Sequence, residues 1–478
     1  MFKTSLIYFL IRAINGVLSV GTIYVLTRIL SAEQYGLYAL GIASILVCAT
    51  VLFQWIAVTV SRFYGAHLTE PNILLAEALR LFAVVAVISL VATACLAFWS
   101  QLLSTPPLLV LSVGVGAVAM GLYNLGLQIA NVKGEPNRYG LLTASRGALA
   151  LIFAVCFVRL GFGGIGAVFA SALASIASVT FFGTRYQGNR RHTNSNLRRQ
   201  IIAYGLPLTL SYLAIMVVDM SDRFMIAGWM GASSVSGYAA AYDLTQQTIG
   251  ATLNVFFLVC YPRITVEWEA GGALRARQAM IPLSKAMLLV APLLAGLFVG
   301  LATNITQLVL GSAVQPEAAQ VMPWIAVAIA IASIKVYYLD VALQLAKGTR
   351  LQLGITVIMA VLNVVLNVIL IPRLGVVGAA ISTTAAFSSG AILSWWFGRR
   401  WGVFPDRKRD AMNMTLVFAA VVFSIYWVST DSHAGIVGTL LRIFAGLTGY
   451  VAAIVITNHA EIRAGFWRKL KSNLINIK

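Results

Sequence analysis

Charged side chains are scarce in this chain of 478 residues: Asp, Glu, Lys and Arg make up 10% of it, whereas ordinary soluble domains carry about a quarter. Acidic residues are the rarest, with 15 Asp and Glu beside 34 Lys and Arg. Hydrophobic residues make up 60%, and the mean hydropathy is +0.87. This composition excludes soluble multidomain proteins, disordered chains and collagen. At roughly 20 apolar residues per span it predicts an all-α polytopic membrane protein with about fourteen transmembrane helices.

Cysteine and histidine are also few. Cys48, Cys95, Cys156 and Cys260 all lie in apolar runs, where a thiol usually acts as a small hydrophobic group. The four histidines fall in connecting segments and do not cluster in the sequence. Neither a zinc site nor a chain of imidazoles within the membrane is indicated. We therefore predict no metal and no cofactor.

The net charge of +19 is concentrated in alternate connections between the apolar runs. Most Lys and Arg residues fall on one side when the N-terminus is placed in the cytoplasm. By the positive-inside rule, both termini are predicted to be cytoplasmic. The charge is then a topology signal and an attraction to anionic membrane lipids, so nucleic acid is not an expected partner.

Two parts of the chain resemble each other. Arg159–Gly161 and Arg373–Gly375 share the sequence Arg-Leu-Gly and lie 214 residues apart, as do Lys133 and Lys347. Such self-similarity indicates an internal duplication. Two six-helix halves of the same membrane sense predict a pseudo-twofold axis along the membrane normal and a central cavity with alternating exposure. The predicted organisation is an N-terminal half at 1–183, a basic linker at 184–200, a C-terminal half at 201–400, and two extra helices with a basic tail at 401–478.

Four stretches resemble a known family. They are RILSAEQYGLYAL (Arg28–Leu40), YGLPLTLS (Tyr204–Ser211), DRFMIAGWMGASSVSGYAAAY (Asp222–Tyr242) and NVVLNVILIPRLGVVGAAISTT (Asn363–Thr384). They are similar to the polysaccharide and O-antigen lipid-carrier flippases of the multidrug, oligosaccharidyl-lipid and polysaccharide exporter superfamily. Fourteen spans also resemble the branch that flips the peptidoglycan precursor, although no residue singles that branch out.

The resemblance implies a flippase of the bacterial inner membrane, not an enzyme. It would move an undecaprenyl-pyrophosphate-linked glycan from the cytoplasmic to the periplasmic leaflet, with lipid and polysaccharide assembly proteins as partners. Two alternatives stay open. A multidrug-type cation antiporter has the same architecture but would favour an acidic or aromatic cavity. A membrane glycan polymerase or ligase would typically carry a large periplasmic loop with catalytic residues, and none is evident in the sequence.

Ionisable residues within spans are the first candidates for function, because charge at membrane depth is costly and usually faces a cavity or a partner. Arg223 is a candidate pyrophosphate contact. Asp219 and Asp222 are candidates for ion coupling. Asp219 and Arg223 are four residues apart on one helical face, so the spacing also allows a structural ion pair between them.

Lys335 lies in the middle of a predicted span and is a further candidate anion contact; the alternative is a structural pair with an Asp of another helix. Asp340 follows five residues later, about 140° around an α-helix, so it is not the expected partner. Asp243 and Asp340 are additional candidates for ion coupling.

Three arginines near helix ends complete the candidate set. Arg12 and Arg146 lie about one turn inside the predicted cytoplasmic boundary and are candidate contacts for the pyrophosphate at the cavity mouth. Arg28 belongs to the first family-like stretch. Side chains of this kind also reach the interface simply as topology signals.

Overall fold

The computed structural model describes residues 2–65, 71–100, 106–183, 194–405, 410–428 and 436–475. These residues are almost entirely helical, and none of them forms a β-strand. The all-α fold predicted from the composition is confirmed. The helices are α1 (Phe2–Ile29), α2 (Ala32–Tyr64), α3 (Pro71–Trp99), α4 (Pro107–Val132), α5 (Pro136–Arg159), α6 (Gly163–Phe182), α7 (Ser195–Gly205), α8 (Leu208–Met230), α9 (Ala232–Thr245), α10 (Ala251–Gly300), α11 (Ala302–Val309), α12 (Gln315–Ile334), α13 (Asp340–Leu345), α14 (Thr349–Leu374), α15 (Val376–Gly398), α16 (Asp410–Trp427) and α17 (Ile436–Ile475).

Three short segments of other helical geometry interrupt this order. Gln246–Gly250 and Lys335–Leu339 are π-helical, and Arg399–Trp401 is a 3₁₀-turn. A π-helix closes hydrogen bonds between residues i and i+5, so it inserts one extra residue into the turn and shifts every later side chain around the helix. The segment at Lys335 determines the geometry of a buried ion pair, as described below.

Eleven helical runs within the described ranges are long and apolar enough to cross a membrane. One of them, Ala232–Gly300, has 69 residues; at 1.5 Å per residue it is about three times as long as the ~30 Å hydrocarbon core is thick. It breaks at Gly271 and Gly272, which have non-helical backbone angles, so it can supply two crossings. Ala13–Ile29 and Met412–Trp427 are shorter apolar helices. With these, the described segments match the predicted number of spans, and the protein is a multi-pass membrane protein.

The duplicated motif encodes the same helix turn twice. Gly161, after α5, has a φ of 91°, and Gly375, after α14, has a φ of 60°. Both values lie in the left-handed region that favours glycine. A Cβ on Gly164 would lie 1.9 Å from the carbonyl oxygen of Gln34, and one on Gly378 would lie 2.3 Å from that of Leu370. The repeated glycines are therefore required by backbone geometry at equivalent positions of the two copies.

Packing divides the chain into two compact units. The first comprises Met1–Gln247, Leu310–Ala318 and Leu353–Ala386. One apolar cluster of this unit joins α2, α3 and α4 with the amphipathic helix α7, through buried residues that include Trp55, Leu74 and Ile201. This unit contains Arg28, Arg146, Asp219, Asp222, Arg223 and Asp243.

The second unit comprises Thr248–Val309, Ala319–Gln352 and Phe387–Lys478. Here α10 packs closely against α16. A Cβ on Gly296 would lie 2.8 Å from the side chain of Val421, and one on Gly300 would lie 2.7 Å from that of Ile425. Lys335 and Asp340 belong to this unit.

Candidate functional site

Arg223 of α8 forms an ion pair with Asp243 of α9. Its two terminal nitrogens lie 2.5 and 3.5 Å from the two carboxylate oxygens, and its Cζ lies 5.5 Å from the ring centroid of Tyr242. The side chain of Arg223 is 3% exposed, whereas that of Asp243 is 39% exposed. The Nε atom of Arg223 is buried and has no hydrogen-bond partner among the described residues. One buried donor of the guanidinium is therefore unused while its carboxylate partner is open on one side.

Asp219 is not the partner of Arg223, so the ion pair that the helical spacing allowed does not form. The reason is the reversal after α8. Gly231 adopts a φ of 87° and returns the chain as α9, which packs on α8 and brings Asp243 to the guanidinium. Asp219 and Asp243 both belong to this hairpin. Asp243, from the neighbouring helix, contacts the guanidinium of Arg223 with both carboxylate oxygens.

Arg146 of α5 lies against two other helices of the first unit. Its Nε donates a hydrogen bond to Oγ of Ser175 on α6 at 3.0 Å, and its Cζ lies 4.9 Å from the ring centroid of Tyr123 on α4. Tyr38 of α2 is within electrostatic range of Arg146, Arg223 and Asp243. The structure therefore brings two of the predicted anion contacts, Arg146 and Arg223, into the surroundings of one tyrosine.

Of the two remaining arginine candidates, the structure describes the side chain of Arg28. Arg28 is exposed at the end of α1; its Cζ lies 3.7 Å from the ring centroid of Tyr24, and a terminal nitrogen donates to the Tyr24 carbonyl at 3.2 Å. The side chain of Arg12 lies outside the described residues.

Asp222 of α8 is buried in a polar cluster formed by four helices. Its carboxylate accepts hydrogen bonds from the hydroxyls of Tyr238 (α9) and Thr383 (α15) and from the amide of Asn367 (α14), each at 2.5 Å. Asn363, one turn before Asn367, accepts hydrogen bonds from Ser221 at 3.0 Å and from Asn367 at 3.2 Å.

The Asp222 cluster has one oxygen to spare. Oδ1 of Asn367 is buried without a hydrogen-bond partner among the described residues. The Asp222 carboxylate and the two hydroxyls offer oxygen atoms, the ligand type that hard cations prefer, whereas Asn367 contacts the carboxylate through Nδ2. Among the described residues, including the Asp222 cluster, no group of three or more His, Cys, Asp and Glu residues could hold a metal ion.

Lys335 and Asp340 form a buried ion pair in the second unit, with a distance of 2.7 Å between Nζ and Oδ2. The expectation that Asp340 points away from Lys335 is therefore wrong. It assumed a regular α-helix, whereas Lys335–Leu339 is π-helical and the N–H of Asp340 donates to the carbonyl of Lys335. The extra residue in this turn brings positions i and i+5 to the same side.

Several polar partners were not among the sequence-derived candidates. Tyr238 and Thr383 hold Asp222, and Ser394 donates to Oδ1 of Asp340 at 2.6 Å. Thr383 and Asn367 both lie in the stretch Asn363–Thr384 that carries the family resemblance. The pattern from which these partners could have been predicted is therefore in that stretch: two asparagines four residues apart, followed by a threonine on the next helix.

Two protein-family profiles match this chain. The profile of the family described as "Polysaccharide biosynthesis protein" matches residues 1–266, and that of "Lipid II flippase MurJ" matches residues 137–446. Each covers more than half of the chain. The chain belongs to the polysaccharide and lipid-linked flippase family. The resemblance noted in the sequence is confirmed.

Solved structures support the fold of this flippase family. A lipid II flippase MurJ in an inward closed conformation matches with a TM-score of 0.76 and 13% identity, over 97% of this chain and 100% of that one. An inward-facing multidrug resistance transporter of the MATE family matches with a TM-score of 0.65 and 16% identity, over 83% of this chain and 97% of that one. A multidrug resistance transporter of the MATE family in an outward-facing conformation matches with a TM-score of 0.57 and 17% identity, over 83% of this chain and 92% of that one. No curated protein matches the sequence significantly.

The two profiles of the flippase family overlap at residues 137–266. That overlap contains Arg146, Asp219, Asp222, Arg223 and Asp243. Arg146, Arg223 and Asp243, which surround Tyr38, therefore lie in the part of the chain that both profiles match. The buried carboxylate of Asp222 lies there as well.

Proposed function

We propose that the protein is a flippase that moves a polyprenyl-pyrophosphate-linked oligosaccharide from the cytoplasmic to the periplasmic leaflet of the bacterial inner membrane by alternating access. Membership of the polysaccharide and lipid-linked flippase family supports the class of cargo. The predicted cytoplasmic location of both termini is consistent with the family resemblance but is part of the same proposal.

The observation that carries the proposal is the state of Arg223. Its guanidinium is almost fully buried, has an unused Nε donor, and is neutralised by a carboxylate that is 39% exposed. An arginine fork suits the oxygens of a phosphate as well as those of a carboxylate. A pyrophosphate can therefore replace or supplement Asp243 on Arg223, with Arg146 as the second cation. Arg28, Arg12 and Lys335 remain proposed contacts on sequence grounds.

The membrane potential can drive this reaction. A pyrophosphate head group carries about two negative charges and leaves an electrically negative cytoplasm. At about 2.3 kcal/mol per charge per 100 mV, a potential of ~150 mV contributes roughly 7 kcal/mol. The protein then needs only to lower the barrier, and buried cations do so by replacing part of the hydration that the head group loses.

Ion coupling is proposed to reside at Asp222. Its buried carboxylate and the hydroxyls of Thr383 and Tyr238 offer oxygen atoms to a monovalent cation or a proton. Binding would change the hydrogen bonds that join α8 to α9, α14 and α15. Asp219, Asp243 and Asp340 remain proposed coupling residues; Asp243 and Asp340 are also engaged by Arg223 and Lys335.

A multidrug-type cation antiporter is the second candidate, because the MATE transporters have the same fold. It predicts that an organic cation would bind the exposed carboxylate of Asp243 and displace Arg223. Loss of the protein would then raise drug susceptibility, whereas loss of a flippase would cause a lipid-linked oligosaccharide to accumulate.

The direct test is head-group translocation of a lipid-linked oligosaccharide in proteoliposomes. We expect Arg223→Ala to abolish translocation and Arg223→Lys to retain part of it, because lysine keeps the charge but not the fork. Arg138→Ala is the matched control, since Arg138 forms a partly exposed ion pair with Glu135 at 3.0 Å.

The double variant Arg223→Ala/Asp243→Ala separates transport from bracing. If the ion pair only stabilises the α8–α9 hairpin, removing both partners restores a folded, active protein. Wild-type translocation by that double variant would contradict the proposed anion contact.

A further inference from the structure

The end of α15 carries a cluster of arginines and aromatic rings, Trp395-Trp396-Phe397-Gly398-Arg399-Arg400-Trp401. We name it the WWFGRRW turn. The Cζ of Arg399 lies 3.9 Å from the ring centroid of Trp396 and 5.2 Å from that of Trp395. These distances are those of cation–π contacts. One guanidinium is therefore held against two indole rings.

The second arginine is fixed at the same place. The Cζ of Arg400 lies 5.0 Å from the ring centroid of Phe397 and 5.3 Å from that of Trp401, and its Nε donates to the carbonyl of Phe397 at 3.0 Å. Both arginines of the WWFGRRW turn are thus positioned by rings.

A third arginine comes from another part of the chain. Gly402 closes the 3₁₀-turn with a φ of 64°, in the left-handed region. Its carbonyl accepts a hydrogen bond from Nε of Arg277 at 2.8 Å. Arg277 belongs to the segment of α10 that follows the break at Gly271 and Gly272. Three guanidinium groups therefore meet at one turn of the second unit.

The tryptophans and arginines of the WWFGRRW turn are exposed. Trp395 is 47% exposed and Trp396 is 54% exposed, and Arg399 and Arg400 are both exposed. Neither Arg399 nor Arg400 forms an ion pair with a carboxylate whose side chain the structure describes. Exposed tryptophans at the end of a membrane helix are typical of the membrane–water interface. A guanidinium that stacks on a ring through its face keeps its edge N–H groups available for oxygen acceptors.

We propose that the WWFGRRW turn is a binding site for the head group of an anionic phospholipid. The phosphate would lie at the guanidinium edges of Arg399 and Arg400, and the indole rings of Trp395 and Trp396 would lie beside the glycerol backbone. None of its residues is among the proposed translocation residues, and the proposal does not depend on the proposed function. Arginine is suited to it because its planar fork binds two phosphate oxygens at once.

Two simpler interpretations make different predictions. If the arginines serve only as topology signals, lysine replaces them without loss, since the positive-inside rule counts both residues. The same holds if they only complement the negative end of the α15 dipole. A head-group site needs the stacked, planar groups, so lysine should weaken it.

The chain provides a matched control in Arg198 and Arg199 of α7. This is also an adjacent arginine pair near a helix end, but no ring contact holds either side chain within the described residues. Neutralising it removes the same charge as neutralising Arg399 and Arg400. Any difference between the two variants therefore reports the site and not the net charge.

The experiment measures lipid binding to the full-length protein in mild detergent by native mass spectrometry, with phosphatidylglycerol or phosphatidylcholine as the probe. For Arg399→Gln/Arg400→Gln we expect the affinity for phosphatidylglycerol to fall about thirtyfold, because each arginine near a membrane surface contributes roughly fivefold. Arg198→Gln/Arg199→Gln should change it less than about twofold. Arg399→Lys/Arg400→Lys should lower it by about fivefold, from loss of the stacking contacts.

Tryptophan fluorescence gives a second, local measurement. In nanodiscs, phosphatidylglycerol with brominated acyl chains should quench wild-type emission more than that of Trp395→Phe/Trp396→Phe, and brominated phosphatidylcholine should not. The proposal is overturned if the lysine variant binds as the wild type does, if the Arg198 and Arg199 control loses as much affinity, or if phosphatidylcholine binds equally well.

Discussion

The Lys335–Asp340 ion pair offers the sharpest test of the energetics inside this membrane protein. The two side chains are 5% and 2% exposed, and the charged atoms are 2.7 Å apart. At an effective dielectric constant of about 20, unit charges at that distance attract by roughly 6 kcal/mol. Desolvation of both groups offsets most of this attraction, so the intact pair adds little to the free energy of unfolding. Removing one partner lowers the free energy of unfolding by about 3–5 kcal/mol.

The two single variants should differ, because the two groups have different neighbours. Lys335→Met leaves a carboxylate that still accepts from Ser394 at 2.6 Å and from Gln352 at 3.5 Å. The free energy of unfolding of this variant should fall by about 3 kcal/mol, the lower end of that range. Asp340→Leu leaves an ammonium group with no other acceptor among the described residues, and its cost should approach ~5 kcal/mol.

The double variant Lys335→Met/Asp340→Leu removes both charges together. It should return to within about 1–2 kcal/mol of the wild type, since replacing a buried pair by apolar groups is often neutral. The residual cost comes from the Ser394 hydroxyl, which loses its carboxylate acceptor. Stability would be measured as the free energy of unfolding in mixed micelles and as the monodisperse fraction after heating.

The reasoning would be refuted if Lys335→Met were as stable as the wild type, or if the double variant were less stable than both single ones. Translocation by the folded double variant tests the separate proposal that Lys335 contacts the pyrophosphate. Full activity removes that contact, whereas loss of translocation supports a transport role for Lys335 or for its partner Asp340.

Two further predictions concern the first unit. Asp222→Asn should abolish any dependence of translocation on Na⁺ or on the proton gradient, because the amide places N–H groups against three existing donors; unchanged ion dependence in proteoliposomes would argue against Asp222 as the coupling residue. Gly36→Val should prevent correct packing of α2, because even a Cβ would lie 1.8 Å from the carbonyl oxygen of Ala232. Gly228→Ala, on a helix position with open space around it, is the control and should be as stable as the wild type or more stable.

Much of the fold follows from hydropathy alone, because a segment that crosses the hydrocarbon core must be apolar and internally hydrogen-bonded. The turn at Gly161 and Gly375 was also visible, since the same motif occurs twice. Hydropathy also divides the run Ala232–Gly300 into two spans, and the break at Gly271 and Gly272 lies in the polar connection between them. Hydropathy does not encode the π-helical geometry of Gln246–Gly250.

The site was predicted less completely, for a geometric reason. Residue types at membrane depth identified Arg223, Asp222 and Lys335 as buried charges, and all three are buried. Their partners depend on helix geometry and tertiary packing, which spacing in the sequence does not encode. A single π-turn redirected Asp340 to Lys335, and one left-handed glycine turned α9 back so that Asp243 displaced Asp219 as the partner of Arg223.

The buried charges differ in how completely the protein satisfies them, and this difference indicates where a ligand can act. Asp222 has three donors and Asp340 has an ammonium and a hydroxyl, so each carboxylate is held in place by the fold. Arg223 is equally buried, yet its Nε has no partner among the described residues and its carboxylate is open on one side. An unsatisfied donor on a buried cation costs free energy. An anion that approaches past Asp243 would recover that free energy, which makes Arg223, more than Lys335, the cation at which the anionic part of the cargo should bind.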